Sequence, residues 1–231
     1  MRVLTIVPAY NETATIEFVV NDILNKVNDI KVCVVDDGSI DDTKIKALKL
    51  GAVVLSHPFN MGIGAAVQTG FLYALQNNFD VAVQIDGDGQ HDPAFIPNMI
   101  DIIQQNKSDV VSGSRFLEKG GYKSSFPRRI GITFFELVNR LLTGQRITDS
   151  TSGFRAFNRN AIALLAYNYP EDYPEPEVLI ILKRAGLKVM EIPVVMRARQ
   201  GGQSSIRGFK SFHYMVKVIL ALLMQSIKRR K

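Results

Sequence analysis

The chain lacks several features that mark whole classes of protein. Its 231 residues include one cysteine, Cys33, inside an apolar run at residues 32–35. A single thiol excludes a disulfide framework, so we expect a buried, small hydrophobic side chain and a reducing, cytosolic setting. No internal repeat, low-complexity tract or recognised nucleic-acid-binding motif is present. The first residues enter a strand directly and lack the apolar segment of a signal peptide, so we expect no such peptide.

Apolar sequence is plentiful, but no run is long enough to cross a membrane. Hydrophobic residues make up 46% of the chain, which suits one packed domain, with or without an appendage. The apolar stretch at residues 215–227 is interrupted by Lys217, Gln225 and Ser226 and is shorter than the ~20 residues that a span requires. We therefore expect the final helix, residues 209–227, to lie in a membrane interface or to pack on the domain.

Positive charge is concentrated near the end of the chain. The formal net charge is +6, and residues 228–231 are all basic. Arg197, Arg199, Arg207 and Lys210 cluster shortly before them. Such a tail is often only a solvated surface, but it also suits attraction to an anionic surface. Because no nucleic-acid motif accompanies it, we favour a membrane surface over nucleic acid as the partner.

Strand-like and helix-like segments alternate through the first half. Predicted strands cover residues 3–7, 31–35, 52–55, 81–85 and 109–112, and predicted helices cover 12–27, 43–50, 64–76 and 93–105. This alternation predicts an α/β fold with a mostly parallel central sheet flanked by helices. In the less regular second half we expect helices at residues 129–142, 158–166 and 177–185, and a strand at 188–195.

The stretch VAVQIDGDGQHDP, residues 81–93, is the centre of this pattern. Its apolar run stops at Asp86, and the two following glycines let the backbone turn. Asp86, Asp88 and Gln90 therefore emerge at the carboxyl end of a central strand, where open α/β sheets bind ligands. Two carboxylates and an amide oxygen suit Mg²⁺ or Mn²⁺ that also holds phosphate oxygens. The alternative is an ordinary acidic turn, since Asp–Gly pairs are common in turns.

Several stretches match one pattern together. Residues 8–12 (PAYNE), 36–39 (DDGS), 60–66 (NMGIGAA) and 86–90 (DGDGQ) stand at strand ends or open a helix. In this order they resemble glycosyltransferase family 2, with its nucleotide-diphospho-sugar-binding GT-A fold. Residues 113–115 (GSR), 128–129 (RR) and 148–155 (TDSTSGFR) resemble its dolichyl-phosphate mannosyltransferase and polyprenyl-phosphate glycosyltransferase branch. The resemblance covers a predicted catalytic domain at residues 1–206, and we expect residues 207–231 to form a separate amphipathic, basic-tailed helix.

This resemblance implies an inverting enzyme that takes a sugar from a nucleotide diphosphate. The base, uridine or guanosine, and the sugar stay open at this point. Because residues 173–177 depart from the pattern of the phosphomannosyl relatives, we expect UDP-glucose or UDP-N-acetylglucosamine as the donor. The metal ligands would be Asp86, Asp88 and Gln90, and the metal would act as a Lewis acid on the departing diphosphate. The expected donor-binding residues are Pro8, Tyr10, Glu12, Asp37, Gly64, Asp86 and Arg199. N-capping and turn formation remain the alternative for Asp37, and helix-start geometry remains the alternative for residues 60–64.

The acceptor decides which further residues are catalytic. A polyprenyl phosphate needs cationic partners, and the resemblance implies Arg115, Arg128 and Arg129. A sugar hydroxyl instead requires a general base, for which Glu175 and Glu177 are the available carboxylates. Phosphomannosyl relatives do not carry these two glutamates in the same form. A structural alternative for both is placement at a helix N-terminus, which the helix dipole favours.

Three functions therefore stay open at this point. The first is transfer to a polyprenyl phosphate at the cytoplasmic membrane face, with the C-terminal helix or a small membrane protein as anchor. The second is transfer to a saccharide hydroxyl in cell-envelope polysaccharide synthesis. The third is a non-catalytic nucleotide-sugar-binding module. Loss of catalysis usually removes the metal carboxylates, however, and both are present.

Asp149 would contact the donor sugar or shape its loop. The three histidines, His57, His91 and His213, show no metal-ligand spacing and receive no role.

Overall fold

A computed structural model describes residues 1–117, 147–170 and 174–197. Its strands are β1 Val3–Ala9, β2 Ile30–Asp36, β3 Val53–Ser56, β4 Val81–Gln84, β5 Val110–Ser114, β6 Arg155–Asn158 and β7 Val189–Pro193. Within these ranges they form one seven-stranded sheet in the order β3-β2-β1-β4-β6-β5-β7. Every pairing is parallel except those of β6, which runs antiparallel to β4 and β5. The predicted α/β architecture with a mostly parallel sheet is confirmed.

Helices cover both faces of this sheet. They are α1 Ile16–Lys26, α2 Thr43–Lys49, α3 Ile63–Gln76, α4 Ile96–Gln104, α5 Arg159–Asn168 and α6 Pro174–Arg184, with a 3-10 turn at Pro93–Phe95. Alternate residues of β1 belong to different hydrophobic clusters, because successive strand side chains point to opposite faces. Val3 and Val7 pack with α1 and α4, whereas Leu4 and Ile6 pack with α3, α5 and α6. Burial on both faces explains the continuous apolar runs in the sequence.

Helices α1 and α6 begin three or four residues away from the predicted positions, and α4 begins at Ile96, after the 3-10 turn that occupies the predicted start. Helix α1 begins at Ile16 rather than at Glu12, because the Glu12 carbonyl first closes a turn by accepting from the N–H groups of Thr15 and Ile16, at 3.0 and 2.9 Å. Helix α6 begins at Pro174, three residues before Glu177. Proline is well suited to a first helical turn, since its missing N–H would have no intrahelical partner there. Glu175 and Glu177 therefore both lie in the first turn of α6.

Some predictions fall on parts of the chain that the structure does not describe. The helices predicted at residues 129–142 and 209–227, and the domain boundary after residue 206, all lie outside the described residues. Among the helices that are described, none is long and apolar enough to cross a membrane.

Helix α3 approaches β1 closely at one glycine. A methyl group on Gly70 would overlap Cγ2 of Ile6 and come within about 3 Å of Cγ1 and Cδ1 of the same side chain. Both residues are buried in the cluster beneath α3. The absence of a side chain at Gly70 therefore sets how near α3 lies to β1.

We expect Gly70→Ala to lower the free energy of unfolding by up to about 2 kcal/mol. Overpacking a core costs about 1–3 kcal/mol, and the higher helix propensity of alanine offsets about 1 kcal/mol of that cost. In an Ile6→Ala background the same change should instead stabilise, because the overlapping atoms are gone. Urea unfolding of the double-mutant cycle measures this reversal, and equal effects in both backgrounds would contradict the close packing.

Candidate active site

A cleft of about 520 Å³ opens at the carboxyl ends of β1, β2 and β4. It is lined by Pro8, Ala9, Tyr10, Asn11, Glu12, Asp37, Asn60, Gly62, Ile63, Ala66, Asp86, Gly87 and Asp88. Strand β1 lies between β2 and β4 in the sheet, so the connections from neighbouring strand ends leave in opposite directions and a crevice remains between them. In open α/β sheets this is the place where ligands bind.

The two carboxylates of the turn after β4 both line this cleft, as predicted. Oδ1 of Asp88 accepts a hydrogen bond from the backbone N–H of Gln90 at 3.0 Å, which tightens the turn. Oδ2 of Asp86 lies 3.0 Å from Nε2 of His91. The Asp86 side chain retains 33% of its surface exposed. Two carboxylate groups are therefore presented to one solvent-filled space.

Gln90, the third predicted ligand, is not among the residues that line the cleft. Its backbone N–H bonds Asp88, and its carbonyl accepts from the N–H of Arg197 at 2.8 Å. Across the described parts of the chain, no group of three His, Cys, Asp or Glu side chains is arranged to hold a metal ion. Two carboxylates nevertheless suit Mg²⁺, which commonly takes its remaining ligands from water and substrate phosphates.

Asp37 lies in the cleft, but its carboxylate is also bonded to the protein. Oδ1 accepts from the N–H of Met61 at 2.9 Å, and Oδ2 accepts from the N–H of Gly62 at 2.8 Å. Nδ1 of His57 lies 2.7 Å from Oδ1, and Nε2 of His57 lies 2.9 Å from Oγ1 of Thr69. Because a carboxylate only accepts, Nδ1 of His57 carries the proton. Asp37 therefore holds the turn before α3, which matches the turn-forming alternative.

Of the other residues predicted to bind the donor, some line the cleft and some lie behind its wall. Pro8 and Glu12 line the cleft, and Tyr10 does so with 46% of its surface exposed. Oε2 of Glu12 accepts from Oγ1 of Thr15 at 2.7 Å. Gly64 is buried inside the first turn of α3, and its neighbours in that turn form the wall instead.

Arg115 is held beside the carboxyl end of β5 by a buried aspartate. Its Nε and Nη2 donate to the two oxygens of Asp149 at 2.6 and 2.7 Å, and Nη2 also donates to Thr151 Oγ1 at 2.8 Å. The backbone N–H groups of Thr148 and Asp149 donate to Glu191 at 2.7 and 2.9 Å. Burial raises the pKa of Glu191, although these hydrogen bonds oppose the increase. Asp149 thus shapes the 148–154 turn and fixes the Arg115 guanidinium.

The remaining predicted arginines cannot be placed in this arrangement. Arg128, Arg129 and Arg199 lie outside the described residues. Arg197, two residues before Arg199, is described: its guanidinium bonds Asp22 and Asp92, each at 2.7 Å. With the Arg197–Gln90 backbone bond, these contacts tie the segment after β7 to the turn that carries the two cleft carboxylates.

The carboxyl of Glu175 is influenced by the charge of Asp86, and a buried arginine bonds the Glu175 backbone. Arg155, 1% exposed, donates from Nη1 to the Glu175 carbonyl at 2.8 Å and from Nη2 to the Ser150 carbonyl at 3.0 Å. Burial raises the pKa of the Glu175 carboxyl, the charge of Asp86 raises it further, and Arg155 opposes both. Glu177 is half-buried in the same helical turn.

Sequence patterns did not reveal the roles of His57 and His91. His57 bonds an aspartate twenty residues earlier in the chain, and His91 bonds one five residues earlier across a turn. Neither spacing is a metal-ligand pattern. Arg155 was part of the TDSTSGFR stretch, but nothing in that stretch indicated that its side chain would be buried.

Comparisons with known proteins show the family to which the chain belongs. A family model for glycosyl transferase family 2 matches residues 5–165. A UDP-N-acetylglucosamine–dolichyl-phosphate N-acetylglucosaminyltransferase of Methanococcus voltae is 32% identical over 235 residues, covering 91% of this chain and 93% of that protein. An undecaprenyl-phosphate mannosyltransferase of Micrococcus luteus is 30% identical over 218 residues, covering 90% of this chain and 88% of that protein.

The fold is also shared with a solved structure. Glucosyl-3-phosphoglycerate synthase from Mycobacterium tuberculosis, in complex with Mn²⁺, UDP and glucosyl-3-phosphoglycerate, superimposes with a TM-score of 0.73. The match has 24% identity and covers 100% of this chain and 81% of that one, and it defines a GT-A fold. The chain belongs to glycosyl transferase family 2 and is a glycosyltransferase (EC 2.4) that takes its sugar from a nucleotide-sugar donor. The predicted family is confirmed.

The Glu175 environment leads to a pH-dependent stability prediction. A carboxyl whose pKa is raised by folding stabilises the protein below its ordinary pKa, and that contribution is lost as the pH rises through the raised value. Glutamine at this position cannot ionise. The stability advantage of Glu175→Gln over the wild type should therefore grow from pH 5 to pH 8 in thermal unfolding with EDTA present. An advantage that is constant or shrinks with pH would contradict the raised pKa of this carboxyl.

Proposed function

We propose that this enzyme transfers a sugar from a uridine diphosphate sugar to a polyprenyl phosphate, with inversion and with Mg²⁺ or Mn²⁺ at Asp86 and Asp88. The observation that carries the proposal is the pair of carboxylates in the cleft at the carboxyl ends of β1, β2 and β4. The lipid acceptor is supported by the dolichyl-phosphate and undecaprenyl-phosphate enzymes to which the chain is similar. UDP-glucose and UDP-N-acetylglucosamine are the expected donors: the M. voltae relative is named for UDP-N-acetylglucosamine, and the M. tuberculosis synthase was solved in complex with UDP-glucose.

The donor set fits a divalent cation. Asp86 and Asp88 supply hard oxygen ligands side by side, and the protein offers no soft ligand in the described wall of the cleft. The related M. tuberculosis synthase was solved with Mn²⁺ and with Mg²⁺ in the presence of UDP. A cation bound here supplies Lewis-acid stabilisation of the departing diphosphate.

The protein itself positions the donor. The exposed Tyr10 ring offers a flat face at the cleft rim, where a nucleotide base stacks favourably. Asp37 holds the turn at residues 60–62, which forms the opposite wall. We expect a donor held by these contacts to place its diphosphate beside Asp86 and Asp88, which line the same cleft. Fixing the reactants in this way lowers the barrier without a covalent intermediate.

We assign the acceptor phosphate to Arg115, on the family resemblance and on the fixed position of its guanidinium. A guanidinium that Asp149 and Thr151 already hold loses little freedom when it binds an anion. A phosphate oxygen is itself an anion, so its attack on the anomeric carbon requires no general base. We assign Arg128 and Arg129 to the same phosphate and Arg199 to the donor diphosphate, on the family resemblance alone.

The acceptor also determines where the enzyme acts. A polyprenyl chain stays in the bilayer, so transfer takes place at the membrane surface. The basic residues 228–231 suit anionic headgroups, which attract each Lys or Arg with about 1 kcal/mol. We propose peripheral attachment to the cytoplasmic face through residues 207–231, alone or with a small membrane protein.

The first test is transfer from a panel of radiolabelled nucleotide sugars to undecaprenyl phosphate in detergent. We expect an organic-extractable product that is labile to mild acid, and about a 100-fold loss of rate with EDTA, with Asp86→Asn and with Asp88→Asn. Asp101→Asn is the matched control, because Asp101 is an exposed carboxylate on α4 outside the cleft. Transfer that is insensitive to EDTA would contradict the metal assignment, and a water-soluble product would contradict the lipid acceptor.

A saccharide hydroxyl is the second candidate acceptor, and the environment of Glu175 favours it. A carboxyl with a raised pKa near a cleft aspartate is suited to take the proton that a hydroxyl must lose. Residues of this kind commonly mark functional sites, although buried ion networks also produce them.

Glu175→Gln separates the two acceptors. With a hydroxyl acceptor, loss of the base should reduce kcat by about 100-fold or more; with a phosphate acceptor, the rate should stay within about threefold. Glu177→Gln, in the same helical turn, shows whether an effect belongs to one carboxyl or to the whole segment. Because Glu175→Gln is expected not to lower stability at neutral pH, a loss of rate would report chemistry rather than unfolding.

A further inference from the structure

One of the two cleft carboxylates is enclosed from two sides. Oδ2 of Asp86 lies 3.0 Å from Nε2 of His91. On another side the backbone of Gly153 lies so close that a Cβ there would be 2.9 Å from Oδ1 and 3.1 Å from Oδ2. Asp88, its partner in the proposed metal site, is instead held by a backbone N–H of its own turn.

The environment of His91 defines its protonation and its freedom. The residue is 4% exposed, and its ring lies 5.1 Å from the Phe154 ring, tilted by 31°. A carboxylate only accepts hydrogen bonds, so Nε2 of His91 is the donor. Within the described residues, Nδ1 is buried without a hydrogen-bond partner. A ring packed in this way has one polar contact and cannot rotate without losing it.

We propose that His91 is a positioning residue for the metal site: it holds the Asp86 carboxylate in one orientation against the backbone of Gly153. His91 acts through Asp86 and is not itself a ligand, because its Nε2 is already bonded to the carboxylate and its Nδ1 lies in the protein interior. The inference rests on the proposed binding of Mg²⁺ or Mn²⁺ at Asp86. Hydrogen bonds from outside the ligand set typically change metal affinity 10- to 100-fold.

The backbone at Gly153 connects the Asp86 carboxylate with the turn that holds Arg115. Gly153 and Phe154 end the turn whose beginning, at Asp149, holds Arg115. Phe154 packs on His91, and Gly153 packs on Asp86. The turn that fixes the guanidinium proposed for the acceptor therefore also limits how the proposed metal carboxylate is oriented.

The test measures Mn²⁺ binding by the full chain, with and without UDP. The EPR signal of free Mn²⁺ is the readout. We expect His91→Leu to raise the Kd for Mn²⁺ by about 10- to 100-fold. His91→Gln should keep the Kd within about threefold, since the amide nitrogen of glutamine can donate from nearly the same place as Nε2. Gly153→Ala should weaken binding with His91 intact, because its methyl group displaces the carboxylate.

Two controls make the outcomes distinct. His57→Leu removes the histidine–aspartate contact at Asp37, away from the proposed metal carboxylates, and should leave the Mn²⁺ affinity measured without UDP unchanged. Circular dichroism shows whether each variant is folded. Asp86→Asn should abolish binding.

If the wild type binds Mn²⁺ and His91→Leu binds it equally well, the positioning role is overturned and the metal site stands. If His91→Gln fails as badly as His91→Leu, the hydrogen bond is not the cause. If the wild type binds no Mn²⁺, the metal site and this inference both fall.

Discussion

The antiparallel pairing of β6 with β4 determines which segments meet at the active site. Arg155, the first residue of β6, lies opposite Gln84, the last residue of β4. Because the two strands run in opposite directions, the turn that precedes β6 reaches the same edge of the sheet as the turn that follows β4. A parallel strand at this position would carry that turn to the opposite edge. Asp86 and Gly153 are therefore neighbours, although 67 positions separate them in the chain.

This arrangement concentrates charge in a small volume. Asp149 and Glu191 are desolvated, and Glu175 lies close enough to Asp86 for each charge to affect the other. The buried Arg155 offsets part of this negative charge and bonds the carbonyls of two segments that converge on the cleft. Removing a buried charge leaves its surroundings uncompensated and typically costs several kcal/mol. Electrostatic balance and the geometry of the site therefore depend on the same residues.

Much of the fold was predictable because it depends on local pattern. The apolar runs that became β1, β2 and β4 end where polar residues begin, so the edge of the sheet with Asp37, Asp86 and Asp88 could be identified from the chain alone. Gln90 shows the limit of such reasoning: its spacing after Asp88 suggested a third ligand, but its described contacts are backbone bonds to Asp88 and Arg197. Its role as a ligand stays a prediction. Helix bounds shifted where a turn or a proline altered the first hydrogen bonds, as at Ile16 and Pro174.

The sequence by itself determined the α/β class, the strand ends that carry acidic residues and membership of a glycosyltransferase family, because each depends on residues that are near one another in the chain. Only the tertiary structure decided which partner each polar side chain takes. His91 on Asp86, His57 on Asp37, Asp149 on Arg115 and the buried Arg155 are contacts across turns or between strands. The physical reason is that a hydrogen bond depends on distance and direction in space, and strand order and direction set both.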